Sequence, residues 1–410
     1  MDVELRPITD DEFPAYARVI GAAFAGTQTD EDTADWRLVT ELDRTIAGFD
    51  RDQIVATAGA FSMELTLPGP TTVPVAGVTA VTVLPTHRRR GLLTAMMDRQ
   101  LDDVAQRGEP IAILTASESL IYGRFGYGMA ASTRGWSLDT RHARHIRPPL
   151  AGGSLRMIEK DEAQALVPPL FDRVRLGIPG AVSRPRNWPA QWFKDRESDR
   201  EGASGRFYVV HEPDGGGDPD GYAAYRMVRA WPHGLASFEL RAEDVLAVDD
   251  EVEAALWQFL SEVDLVATVK THGRPVDEPL QWRLADPRRL ATDGLRDHLW
   301  LRILDVPVAL GARRYATEDK LVVELTDPFR PANDGRWVVE GGPVGAVAGR
   351  TSAEPDLALD VRELAALYLG GVTATTLGRA GRVEERRAGA LRRADAFFAT
   401  PTAPWCYTDF

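Results

Sequence analysis

An apolar run over residues 75–84 meets a long amphipathic helix over 91–107 through a short loop holding His87, three consecutive arginines, Arg88 to Arg90, and Gly91. The helix carries Leu92, Met96, Leu101 and Val104 on one face, with Asp98, Gln100, Asp103 and Gln106 elsewhere. A strand that feeds straight into a helix with one apolar face requires a sheet for that face to cover, so this junction points to an α/β layer. The flanking sequence agrees. A short strand over 4–7 leads to a helix over 10–24, where Phe13, Tyr16, Val19, Ile20, Ala23 and Phe24 fall at helical spacing. Strands are expected over 45–49 and 53–63, and the run 111–114 reads as a buried strand.

The same junction carries chemistry. The unpaired N–H groups of a first helical turn, the positive end of the helix dipole and arginine side chains together suit a pyrophosphate. Gly91 is the residue expected to let the backbone approach it. The strand end Val81, Thr82 and Val83 can offer free backbone groups to an extended ligand arm. Three basic residues in a turn would, taken alone, be only a solvated loop.

A linker is expected over 147–153 and a weaker break over 212–220, both rich in glycine and proline. Strands over 222–228, 238–240 and 264–271 and a helix over 250–263 repeat the strand-then-helix order. From about residue 299 the character changes, with strands over 299–304, 321–325 and 337–339 and helices over 361–369 and 388–398. The expected division is 1–150, 151–295 and 296–410, the last an α+β domain.

With 48 Lys+Arg against 61 Asp+Glu the formal net charge is −13, which repels a nucleic-acid backbone and favours a polycationic small molecule as partner. No window approaches the roughly 20 apolar residues that span a bilayer, and the first residues lack the charged-then-apolar pattern of a signal peptide, so a cytoplasmic protein without membrane partner is expected. Cys406 is the single cysteine, and no pair among the seven histidines has ligand spacing, so no metal is assigned.

Arg88 and Gly91 stand as in the acetyl-coenzyme A signature of GNAT N-acetyltransferases, Arg/Gln-x-x-Gly-x-Gly/Ala, with Leu93 at the third small position. About 25 residues on comes Ser117-Glu118-Ser119-Leu120-Ile121-Tyr122-Gly123-Arg124-Phe125-Gly126-Tyr127-Gly128. Together with the 87–93 loop, the 301–307 segment and a terminal Phe, it resembles the enhanced intracellular survival (Eis) acetyltransferase family over the whole chain.

The resemblance implies two tandem GNAT-like domains, the second degenerate, followed by a sterol-carrier-protein-like domain. It implies Tyr122 as general acid toward the departing thiolate and the free carboxylate of Phe410 as general base. Coenzyme contacts carry over to Val81, Val83, Arg89, Arg90, Gly91, Leu92, Leu93, Thr94, Ser117 and Glu118, and Thr82 lies between the first two. Trp36 and Asp409 are candidates for the amine side. Ala80 and Thr115 stand where the best-studied pattern has rings, which implies a pocket of different shape.

The expected activity is acetyl-coenzyme A-dependent transfer to amines of a polycation such as an aminoglycoside, at several positions; polyamines and protein lysines stay open. A homohexamer is implied as well. A tyrosine of pKa near 10 is protonated at neutral pH, and an α-carboxylate near 3.5 is available as acceptor. The rival is a GNAT scaffold or lipid carrier that binds without turnover. The acidic run 30–35 reads either as a solvated helix start or as a cation-attracting rim. In the middle third, 246–253 places carboxylates where the first domain has arginines, so a pyrophosphate is not expected there.

Overall fold

The computed structural model describes residues 3–185 and 187–410. Contacts divide the chain into two units, one of 1–131, 178–191 and 297–410, the other of 132–177 and 192–296. The last third, expected to follow its own course, packs in one unit with the first.

In the first unit β1 (Val3–Arg6), β2 (Ile46–Asp50), β3 (Gln53–Leu67) and β4 (Thr71–Val83) form an antiparallel meander. β5 (Ile111–Thr115) then adds parallel to β4, and Leu299 to Ile303 pair antiparallel with β5. The parallel step needs a crossover, which α3 (Leu92–Gln106) supplies by burying Leu92, Met96, Met97, Leu101 and Val104 on the sheet. Gln100, assigned to the polar side of that helix by its type, is buried too, and its amide donates to the Gly59 carbonyl at 2.8 Å.

α1 (Phe13–Ala23) begins three residues later than its apolar spacing suggests, because Thr9 and Asp10 close turns before Pro14 opens the helix. α2 (Asp30–Val39) is started by a capping box, in which Thr29 and Asp32 bond each other's backbone N–H.

Within the C-terminal region a five-stranded sheet runs in the order Gly345–Arg350, Gly335–Gly342, Asp319–Thr326, Leu357–Asp360, Val383–Glu385. The helix Val361–Tyr368, which follows the Leu357–Asp360 strand, packs closely on the 117–128 motif. A Cβ on Gly128 would lie 1.9 Å from the Arg362 carbonyl oxygen, so only glycine admits that approach. Arg302, beside β5, pairs with Asp327 at 2.7 Å in full burial.

The second unit holds the strand order Ser154–Ile158, Phe207–Glu212, Gly221–Val228, Phe238–Ala247, Val266–Arg274 and then residues 134–139. Helix Asp250–Glu262 covers it, with Trp257 edge-on to Trp136 at 4.8 Å.

Candidate active site

β4 and β5 pair only from Val75 to Gly77 against Ile111 to Ile113. Both strands continue, β4 for six residues more, so they diverge and leave the β5-facing backbone edge of Val78 to Val83 without a strand partner. A bulge sharpens the divergence. Between Thr57 and Gly59 the β3 register shifts, and Ala80 takes a left-handed φ of 53° held by the Thr57 hydroxyl, 2.7 Å from the Ala80 carbonyl. Two cavities open in this split.

The first, of about 480 Å³, runs along the end of β4 to the start of α3. Val81, Thr82, Val83, Arg89, Gly91, Leu92, Leu93 and Thr94 form one side; Ser117, Glu118 and Tyr122 form the other. Ten of the eleven residues expected at the coenzyme therefore lie together. Arg90 is exposed in the loop and is not on the wall. Sequence reasoning missed Ala23, Phe24, Ile121 and Arg124 there; Arg124 belongs to the motif itself, and Phe24 continues the apolar face of α1.

Gly91 caps α3 at φ 80°, a left-handed conformation, and contributes no side chain to the first-turn amides. Arg89 also has a positive φ, 62°. Among the described residues neither Arg89 nor Arg90 has an ion-pair partner. The unpaired Arg89 guanidinium on the wall, beside the open amides of the α3 first turn, fits an anionic phosphate. His87 is taken up by packing, bonding Asp50 at 3.1 Å and Thr86 at 2.8 Å.

The second cavity, about 550 Å³, lies among α1, α2 and the β3–β4–β5 face, and Phe24, Val81, Ser117 and Tyr122 line both. Trp36, Ala80, Thr115, Asp409 and Phe410 line it. The acids of α2 do not. Asp32 serves the capping box, so of the two readings of that run the helix-start one describes this residue.

Tyr122 is buried on the one-turn helix α4 (Ser119–Tyr122), edge-on to Tyr127 at 5.8 Å. Burial, with the nearby Glu118 charge, pushes its hydroxyl up to about 12.

The chain end is docked without regular structure. The Trp405 N–H donates to the Pro179 carbonyl at 2.8 Å, Arg184 donates to the Thr408 hydroxyl at 3.1 Å, and Trp405, Cys406 and Thr408 are buried. Burial raises the Cys406 thiol to about 12, which removes it as a nucleophile. The Phe410 ring rests on Gly77, and the Thr115 hydroxyl donates to a terminal oxygen at 3.3 Å.

In the second unit the corresponding strand-to-helix junction is closed from within. Asp249 accepts from the N–H groups of Glu251 and Val252, and Asp250, Glu251 and Glu253 fill the first turn.

An acetyltransferase (GNAT) domain model matches residues 4–130, a second acetyltransferase (GNAT) domain model matches 180–303, and a sterol carrier protein domain model matches 306–407. An N-acetyltransferase of Streptomyces coelicolor is 42% identical over 99% of both chains. The N-acetyltransferase Eis of Mycobacterium tuberculosis is 34% identical over 98% of both. The crystal structure of Eis1 from Mycobacterium abscessus superposes with a TM-score of 0.88 at 34% identity, covering 99% of this chain and all of that one.

Proposed function

This chain belongs to the Eis family of GNAT N-acetyltransferases, and from that membership we propose that Tyr122 and the Phe410 carboxylate carry its proton transfers at an amine held beneath α1 and α2. The enzyme class is that of its relatives, acetyl transfer to amines, and its GNAT domain models imply acetyl-coenzyme A as the acyl donor.

Acetyl-coenzyme A supplies an acyl group on a reactive thioester. Arg89 and the amides of Leu92, Leu93 and Thr94 hold the pyrophosphate, and the open edge at Val81 and Val83 holds the extended arm. Ser117 and Tyr122, on the walls of both cavities, mark where the thioester carbon meets the amine. As the N–C bond forms and the C–S bond breaks, the Phe410 carboxylate takes the proton shed by nitrogen, and the Tyr122 hydroxyl gives its own to sulfur. The amine then attacks directly, with the rate gain drawn from positioning.

A phenol held near 12 is a weaker acid than an ordinary thiol near 8.5, so full transfer is uphill by roughly 3–4 pKa units, about 5 kcal/mol. Tyr122 acts first by hydrogen bonding to the developing thiolate, and the proton follows as the C–S bond breaks.

The observation that carries this reading is the meeting of the two cavities at Tyr122, with the terminal carboxylate on the wall of one of them. Thiol release by untagged protein tests it. Tyr122→Phe is expected to lose 10²–10⁴-fold in kcat. Wild-type turnover retained by Tyr122→Phe would end the proposal, and tight coenzyme binding without release for every amine would favour the non-catalytic binder.

Family likeness further supports a polycation such as an aminoglycoside, acetylated at several amines, and a cytoplasmic homohexamer, to be checked by light scattering against six 45.0 kDa chains. The net charge of −13 and the carboxylates of Asp409 and Phe410 support attraction of a cation to the cavity.

A further inference from the structure

Besides the chain end, two acidic side chains stand on the wall of the acceptor cavity, Glu41 and Asp409, and they are held very differently. The Asp409 side chain is 89% exposed, with His298 at 3.6 Å, so its charge is screened by solvent. Glu41 is built in. It lies two residues past α2, and its carboxylate accepts from the Ser62 N–H at 2.7 Å with one oxygen and from the Ser62 hydroxyl at 2.6 Å with the other.

That hydroxyl is itself oriented. Arg44 donates to it at 2.7 Å, so its own proton points at Glu41. Arg44 is fixed in turn by Glu109, which accepts from both ends of the guanidinium at 2.7 and 2.6 Å in a buried pair. Glu109 therefore matches the guanidinium charge, and Glu41 keeps its own: among the described residues it has no ion-pair partner. Each of its oxygens has a further lone pair for a donor arriving in the cavity.

We propose that Glu41 anchors a second ammonium group of the acceptor while the first reacts at the Phe410 carboxylate, so that the site selects amines carrying two cationic groups at a set spacing. The proposal rests on the acetyltransferase reading above and deepens it, since a held carboxylate, beyond the net charge of the chain, then reads the polycation. Glu41 is not on the wall of the coenzyme cavity, so its part lies in the choice of acceptor.

The test measures kcat and KM by thiol release from acetyl-coenzyme A with untagged full-length protein. The acceptors are 1,3-diaminopropane through 1,8-diaminooctane and the n-alkylamines of the same lengths. One diamine is expected to exceed its matching alkylamine about tenfold in kcat/KM, the worth of one charge-assisted hydrogen bond, with shorter and longer diamines falling away. Glu41→Gln keeps the shape and removes the charge, and should erase that advantage chiefly through KM. Ser62→Ala, at an exposed position of β3, leaves the charge but frees the carboxylate, and should reduce the advantage about threefold through lost preorganisation. Calorimetric titration of coenzyme A-loaded protein with the best-fitting diamine reads the same anchor without turnover, as a Kd about tenfold weaker in Glu41→Gln.

A diamine advantage that survives Glu41→Gln, or that Asp409→Asn removes instead, would overturn the proposal and leave the acetyltransferase standing. Equal kcat/KM for diamines and alkylamines at every length would do the same. If no amine is turned over, the acetyltransferase reading fails, and equal Kd values for wild type and Glu41→Gln would then remove the anchor as well.

Discussion

Gly77→Ala separates the placement of the chain end from every other part of the site. Gly77 is the last β4 residue paired to β5, and its φ is one any residue adopts. An added Cβ would lie 2.8 Å from the Met63 sulfur and 3.3 Å from two carbons of the Phe410 ring. Ordinary carbon contacts are about 3.5–4.0 Å, so the shortfall against the ring is a few tenths of an ångström. Met63 meets the new methyl with the flexible end of its side chain and can rotate away. The ring cannot retreat as freely, because the tail is tied at Trp405 and Thr408, so the displacement passes to the terminal carboxylate and its contact with Thr115.

Overpacking of this kind costs about 1–3 kcal/mol of stability. A shift of about 1 Å at a reacting group can cost ~10²-fold in rate, so a few tenths should cost nearer tenfold. The expected result is kcat down about tenfold, acetyl-coenzyme A affinity unchanged by calorimetry, and a modest loss of thermal stability. Since the coenzyme cavity does not include Gly77, a parallel fall in coenzyme affinity would refute the reasoning. So would an unchanged kcat accompanied by the loss of stability.

Gly91→Ala forces a side chain into φ 80°, a strain of about 1–2 kcal/mol, and should raise KM for acetyl-coenzyme A about tenfold with kcat nearly intact; an unchanged KM would remove Gly91 from the coenzyme site. For Tyr122 the folded pKa is raised by burial, so its protonated form is fully present below pH 10 and is lost only as pH rises toward about 12. The kcat profile should therefore show no alkaline fall from this group below about pH 11, and a limb near 10 that vanishes in Tyr122→Phe would contradict it.

Much of this was legible in the sequence because it is local. The strand, basic loop and helix of 75–107 are set by periodicity, and the apolar, proline-bracketed tail announced its docking. What resisted reading depends on partners distant in the chain. The acceptor wall joins α1, α2, three strands and residue 410. Helix Lys160–Arg175 carries Pro168 and Pro169 inside it, a pattern that argues against a helix, yet its face of Ala163, Val167, Leu170, Phe171 and Val174 is buried and prevails. The strand Gly128–Asp139 mixes Gly, Ser and Thr with apolar residues, so its alternation is faint, although Trp136 and Leu138 are wholly buried.

The two strand-to-helix junctions make the final argument, because they place opposite chemistry at the same point of two GNAT-like folds. At α3 the cap is Gly91, the first turn has no acid, and among the described residues Arg89 and Arg90 have no ion-pair partner. At helix Asp250–Glu262 the cap is a carboxylate already bonded to two amides, and Glu251 is tied to Arg147 at 2.7 Å and Arg283 at 3.0 Å. Removing the cap alone would not make a phosphate site, since Asp250, Glu251 and Glu253 would still occupy the first turn where α3 has no acid. Asp249→Gly, which leaves the turn uncapped at a cost of a few tenths of a kcal/mol, should bind no second coenzyme. Titration of wild type and variant with acetyl-coenzyme A should give one site per chain in both. Two sites in either would mean that the acidic turn, despite its charge, accepts a pyrophosphate, and that helix ends in this fold outweigh the side chains around them.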